Sequence, residues 1–132
     1  MSTATVHVSG YSKPIGSQNF YYSAYWGADH PNSHQALAEG CGSTDHAELH
    51  AARQAIRIAA RQKLNRIVIR CDSLLVYEHI KNSANFAKAP DEIRSLLASI
   101  QAFKTQIVVN VERNGNDSPD NNQDVAEIAV ID

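Results

Sequence analysis

The sequence predicts an α/β domain in which a mixed β-sheet carries helices on its faces. Three observations predict it. Short alternating stretches separated by turn residues run as far as Glu39. An alanine-rich stretch of helical period follows and leads into a nearly continuous β-branched run. That strand, helix, strand order implies a parallel pair, because a chain must cross over before it can return in the same direction. The 132 residues suit one domain spanning 1–132, since chains of this length bury roughly two-thirds of their unfolded surface around a single core. At 43% hydrophobic and 20% charged, the composition excludes a disordered or collagen-like chain.

The first strand is Val6-His7-Val8-Ser9-Gly10, a short β-branched alternation that stops at a glycine where the backbone must turn. Residues 19–28 form the next, with Phe20, Tyr22, Ala24 and Trp26 on one face and Tyr21, Ser23 and Tyr25 on the other. His30-Pro31-Asn32-Ser33 supplies turn chemistry, and residues 34–39 complete a hairpin. The alternating aromatic side chains serve packing or, alternatively, a base-stacking platform. Gly40-Cys41-Gly42-Ser43 breaks the pattern, and Thr44 opens a helix over residues 44–64 whose buried stripe includes Ala52, Ala55, Ile56 and Ala59. Residues 66–71 contain Ile67-Val68-Ile69, which suits a strand covered on both faces. A helix over 74–82, a loop over 82–89, a helix from Pro90 through Phe103 and a strand over 106–111 follow. Residues 114–122 read as a polar loop and 125–131 as a short terminal helix or strand.

Charge and cysteine usage narrow the function classes. Twelve Lys plus Arg against fourteen Asp plus Glu give a net charge of −2, which argues against dense, nonspecific coating of nucleic acid but leaves room for a local basic patch. Cys41 and Cys71 are widely spaced, with no CxxC and no histidine at finger spacing, so two reduced and buried thiols are expected and neither a disulfide framework nor a zinc site. No apolar run approaches the ~20 residues a membrane helix needs, and Met1-Ser2-Thr3-Ala4-Thr5 lacks the features of a secretory signal. The expected compartment is the cytoplasm, with no membrane partner.

Two carboxylates stand out. Glu48 lies one turn into the long helix on the same face as Ala52, Ala55 and Ala59, where burying an ionised group invites a cation or a proton-sharing partner. The bland alternative is a capping box, with Asp45 as N-cap and Glu48 at N3. Asp72 directly follows the buried strand, where it either caps the next helix or sits among ligands gathered at the carboxyl ends of parallel strands. Together, a carboxylate near a helix start and another at the end of the adjacent strand can converge on one divalent metal, because hard cations need oxygen ligands.

Thr44-Asp45-His46-Ala47-Glu48-Leu49 is similar to the TNNxAEL segment of the type I ribonuclease H family, and Ile67-Val68-Ile69-Arg70-Cys71-Asp72-Ser73 to its strand ending in DS. Leu75-Val76 and Ile80 also resemble the helix that follows, and the order of elements from Val6 to about Ile128 covers nearly the whole chain. The resemblance implies a ribonuclease H-like fold with a five-stranded mixed sheet of order 3-2-1-4-5. It further implies four carboxylates holding two magnesium or manganese ions that hydrolyse the RNA strand of an RNA/DNA hybrid.

Residue by residue, Glu48 and Asp72 match two of those carboxylates. The family's first strand ends in DG, whereas Ser9-Gly10 stands here, so a neutral serine replaces the aspartate expected to bridge the metals. The fourth position is ambiguous in the partly preserved HxGxxGNxxAD segment. Keeping its spacing puts Asn114 in place of the histidine and Asp124 on the aspartate, whereas matching Asn122-Gln123 to the NE pair puts Ala126 there. Asp124 is the favoured match, with a capping role as its alternative. His7 shares a strand face with Ser9 and is a conceivable substitute ligand, or a structural histidine.

Arg53, Arg57 and Arg61 follow an i, i+4 ladder, with Lys63, Arg66 and Arg70 close by in sequence, and predict one basic helix face that is either solvated or touches phosphates. The basic extra helix of some family members is not evident, because residues 82–89 are few and carry only Lys88, so hybrid affinity should be modest. Three readings follow. The first is a fold lacking efficient hydrolysis that binds RNA/DNA hybrid or RNA, or serves in assembly. The second is an active endonuclease in which Glu48, Asp72 and Asp124 hold one metal. The third is an interaction module that uses an exposed patch at Tyr21, Tyr25 or Phe86 for a protein partner or a homo-oligomer.

Overall fold

The computed structural model describes residues 2–113. Its strands are β1 (Thr3–Ser12), β2 (Phe20–Tyr25), β3 (His34–Leu37), β4 (Arg66–Cys71) and β5 (Val108–Arg113). The helices are α1 (Thr44–Arg61), α2 (Leu74–Lys81) and α3 (Asp91–Phe103). The five strands form one sheet in the order β3-β2-β1-β4-β5. β1 runs antiparallel to β2 and parallel to β4, and β5 is parallel to β4. This is the order implied by the resemblance.

The alternation of each strand sorts its side chains. Val6 and Val8 on β1 and Ile67 and Ile69 on β4 are fully buried, each contributing about 1.5–3 kcal/mol through the apolar area it removes from water. Above them α1 presents Ala47, Ala51, Ala52, Ala55 and Ala59, all without exposure, so the helix settles closely on β1 and β2. Tyr22, Ala24 and Trp26 are buried, as their alternation predicts, while Tyr25 is 55% exposed. Tyr21 is half-buried and stacks on Tyr11, and Phe86 packs against the core, so of the three aromatic residues proposed for an exposed patch only Tyr25 is exposed.

Several boundaries differ from expectation for local reasons. Helix α1 ends at Arg61 rather than Leu64, because Lys63 turns left-handed (φ 60°) and directs the Leu64 amide back to the Ala59 carbonyl. Its N-cap is Ser43, not Asp45: Ser43 is extended and its hydroxyl accepts the His46 amide, leaving Asp45 inside the first turn. Residues 82–89 are not a plain loop. Ser83–Lys88 form a 3₁₀ helix anchored by buried Ser83, whose hydroxyl donates to Gln101 Oε1 at 2.8 Å. The arginine ladder is not one uniform face either. Each step of four residues rotates about 40° around a helix, so Arg53 and Arg57 are partly buried while Arg61 is exposed.

Gly10 fixes how closely α1 approaches the sheet. A Cβ there would strike the Thr44 carbonyl oxygen and lie 2.7 Å from the Glu48 amide nitrogen, both backbone atoms that cannot swing aside. Gly10→Ala should therefore lower stability by about 1–3 kcal/mol, read as a fall in the urea midpoint with an unchanged slope. An unchanged midpoint would show that the approach is looser than drawn.

Candidate active site

The close approach at Gly10 brings the first turn of α1 to the end of β4. Glu48 is only 4% exposed, and its carboxylate crosses to the β4–α2 junction rather than capping its own helix. There Oε2 accepts the backbone amides of Asp72 at 3.0 Å and Ser73 at 2.9 Å. Those amides begin α2, where Ser73 is the N-cap, its hydroxyl accepting the Val76 amide at 3.1 Å. Asp72 is thus released from the capping role. Its carboxylate takes a hydrogen bond from His7 Nε2 at 3.0 Å, joining the end of β4 to β1.

Burial pushes the Glu48 carboxyl above the ordinary carboxylate range, the amides of Ser73 and Asp72 oppose that shift, and the negative charges of Asp72 and Asp45 add to it. Beside it, buried Cys71 has its thiol pushed up to about 12 by desolvation and then by the charges of Glu48 and Asp72. A thiol so reluctant to ionise is a poor nucleophile, so the polar chemistry of this corner falls to the Glu48 and Asp72 carboxylates and the His7 imidazole.

Ser9 lies on the sheet face opposite α1. Val8 pairs with Cys71 as the last pair of the parallel register, so Ser9 and Asp72 are the residues that follow it on β1 and beyond β4. On its other side Ser9 pairs with Ser23 of β2, and the two hydroxyls share a hydrogen bond at 2.6 Å. Hydrogen bonds thus link Glu48 to the Asp72 amide and the Asp72 carboxylate to His7, and Ser9 stands two residues beyond His7 on β1. Asn114, Asp124 and Ala126 lie outside the described residues. Ser23 and the Ser43 cap were not anticipated; the hairpin register, once the turn is placed, is the signal that would have put Ser23 opposite Ser9.

Among the described residues, no group of three or more His, Cys, Asp or Glu side chains is placed to hold a metal ion. Two carboxylates, one of them already accepting two amides, supply fewer anionic oxygens than a pair of divalent cations requires. The described residues alone do not fit two ions.

Residues 32–121 match the model of a family described as reverse transcriptase-like. The chain belongs to this ribonuclease H-like family. The matched segment contains Glu48 and Asp72 but begins beyond Ser9. Among curated proteins none matches the sequence. Solved structures with a similar fold include the N-terminal RNase H domain of rv2228c from Mycobacterium tuberculosis, at 20% identity over 86% of this chain and 82% of that one, with a TM-score of 0.65. RNase H1 from the archaeon Halobacterium salinarum is similar at 16% identity over 84% of each chain, TM-score 0.58. LC11-RNase H1, solved in complex with an RNA/DNA hybrid, is similar at 13% identity over 83% of each chain, TM-score 0.61. At these identities the likeness is one of ribonuclease H-like fold.

The Glu48 bridge has a checkable consequence. Glu48→Ala leaves two inward-facing amides without their acceptor and should cost about 1–3 kcal/mol. Glu48→Gln keeps an acceptor oxygen and removes the buried charge. Because the folded carboxyl holds its proton more tightly than the unfolded one, the stability contributed by Glu48 falls as pH rises from the ordinary carboxylate range through the raised folded value. Thermal unfolding should accordingly show Glu48→Gln gaining on the parent between acid and neutral pH. A gain that shrank as pH rose would contradict the assigned direction.

Proposed function

We propose that this ribonuclease H-like domain is impaired or inactive in hydrolysis and acts in nucleic-acid binding or assembly. The observation that carries the reading is Ser9, a neutral hydroxyl bonded to Ser23, at the strand end where Glu48 and Asp72 meet. Magnesium or manganese, if bound, would be held by Glu48 and Asp72, with Asp124 as a further proposed ligand. The ion's contribution would be to activate water and stabilise the leaving oxygen of a phosphodiester. With a serine at position 9 the anionic bridge between two such ions is missing, so binding should be weak and hydrolysis poor.

Nucleic acid as partner is supported by the sheet face that carries Ser9. A hollow of about 330 Å³ is lined there by Thr5, His7, Tyr25, Trp26, Gly27 and Arg70, a combination of cationic and aromatic side chains suited to phosphate and base contacts. LC11-RNase H1 is known in complex with an RNA/DNA hybrid, and the same ligand class is proposed here. The convergence of Glu48 and Asp72 favours one second reading, an endonuclease working through a single ion and abolished by Asp72→Asn.

Two experiments separate these readings. A labelled RNA/DNA hybrid incubated with magnesium or manganese should remain intact with the parent protein and be cut by Ser9→Asp. Brisk cleavage by the parent would refute the impaired-site reading. Hybrid binding measured across a salt series should be weak and steeply salt-dependent, and Arg70→Ala should reduce the salt slope by about one. An unchanged slope would remove Arg70 from the contact surface.

A further inference from the structure

The geometry points to self-association: the loop between β1 and β2 of one copy inserts Ile15 into a groove between α1, α2 and α3 of a second copy. The groove, of about 500 Å³, is floored by Leu49, Leu75, Val76 and Ile93, and Asp45 and Glu92 stand in its wall. Leu74 and Leu75 are each 50% exposed, so apolar surface continues past the groove. An apolar floor beside two carboxylates disfavours a phosphate backbone and favours an apolar side chain with a cation next to it.

This chain carries such a feature. Ile15 is 97% exposed, the most exposed of its large apolar side chains among the described residues, and it belongs to Lys13-Pro14-Ile15-Gly16. The loop is held in shape rather than left slack. The Lys13 amide donates to the Asn19 carbonyl at 3.1 Å, the Ser17 amide to the Pro14 carbonyl at 3.0 Å, and the Gly16 amide to the Ser12 hydroxyl at 3.0 Å. Gly16 adopts the left-handed conformation (φ 84°) that the turn requires. A protruding side chain on a pre-ordered loop loses little freedom on docking. Lys13 beside it matches the acidic wall.

Loop and groove also lie at the same end of the molecule. Gly10 of β1 packs on Thr44 at the start of α1, so the loop that leaves β1 emerges beside the helix turn that supplies Asp45 to the groove. Two copies related by a two-fold axis can then exchange loops reciprocally, each filling the other's groove. That closes the assembly instead of propagating it.

Sedimentation velocity at pH 8 tests the inference over a wide protein concentration range. A concentration-dependent dimer is expected. Ile15→Asp should weaken it about tenfold or more, with an unchanged circular dichroism spectrum because the side chain makes little contact within its own chain. Lys13→Glu should weaken it, and Lys13→Glu combined with Glu92→Lys should restore it. A monomer at every concentration, a dimer untouched by Ile15→Asp, or open-ended polymers would each overturn the proposal. These readouts use no nucleic acid, so they stand or fall separately from hybrid cleavage and binding.

Discussion

The arrangement of this molecule depends on one buried carboxylate that belongs to a helix but serves a strand end. Glu48 accepts the first two amides beyond β4 and thereby sets where α2 begins and where Asp72 faces. It reaches them because Gly10 has no side chain to hold α1 away from β1. Helix termini leave amides without intrahelical partners, and here those amides are met by Glu48 and by the Ser73 hydroxyl together. The carboxylate is consequently structural before it is anything else, whatever ion is or is not bound beside it.

That dual character explains why two bland alternatives for the acidic residues both fail. Ser43 and Ser73 take the capping roles, hydroxyls that suit an extended residue just ahead of a helix. Asp45 is left to interact favourably with the helix dipole, and Asp72 is left to meet His7. Serines immediately preceding both helices leave the nearby carboxylates available for other contacts. The same division of labour would suit an ion-binding corner or one that has ceased to be one.

Legibility in the sequence followed physical range. Period-two and helical patterns are local, and they located β1, β2, β3, β5 and the three α-helices of the described residues. β4 was located by its apolar run, but the expectation that both its faces are covered fails, because Arg66 and Arg70 are exposed and Val68 is half-buried on the face away from α1. The resemblance supplied the strand order, which local patterns leave open beyond one parallel crossover. What escaped was set by pairs distant in the chain or by single backbone angles. Ser9 meets Ser23 only once the hairpin register is known. The early end of α1 depends on the left-handed Lys63, and the uneven burial of Arg53, Arg57 and Arg61 on rotation accumulated around the helix. The 3₁₀ helix at 83–88 was hidden because its anchor, Gln101, lies on a later element.

The electrostatics of the strand end bear on what a serine at position 9 does. An aspartate there would add a third carboxylate near the end of β4, a crowding of like charges that cations or a retained proton relieve. With serine, one hydroxyl satisfies another across β1 and β2, and a histidine supplies a proton donor to Asp72. Glu48 is solvated by backbone amides. An aspartate placed at position 9 would keep the Ser23 hydroxyl as a donor but would add a negative charge on the sheet face that carries His7 and Asp72, so the fold of that variant should gain more from divalent ions than the parent does.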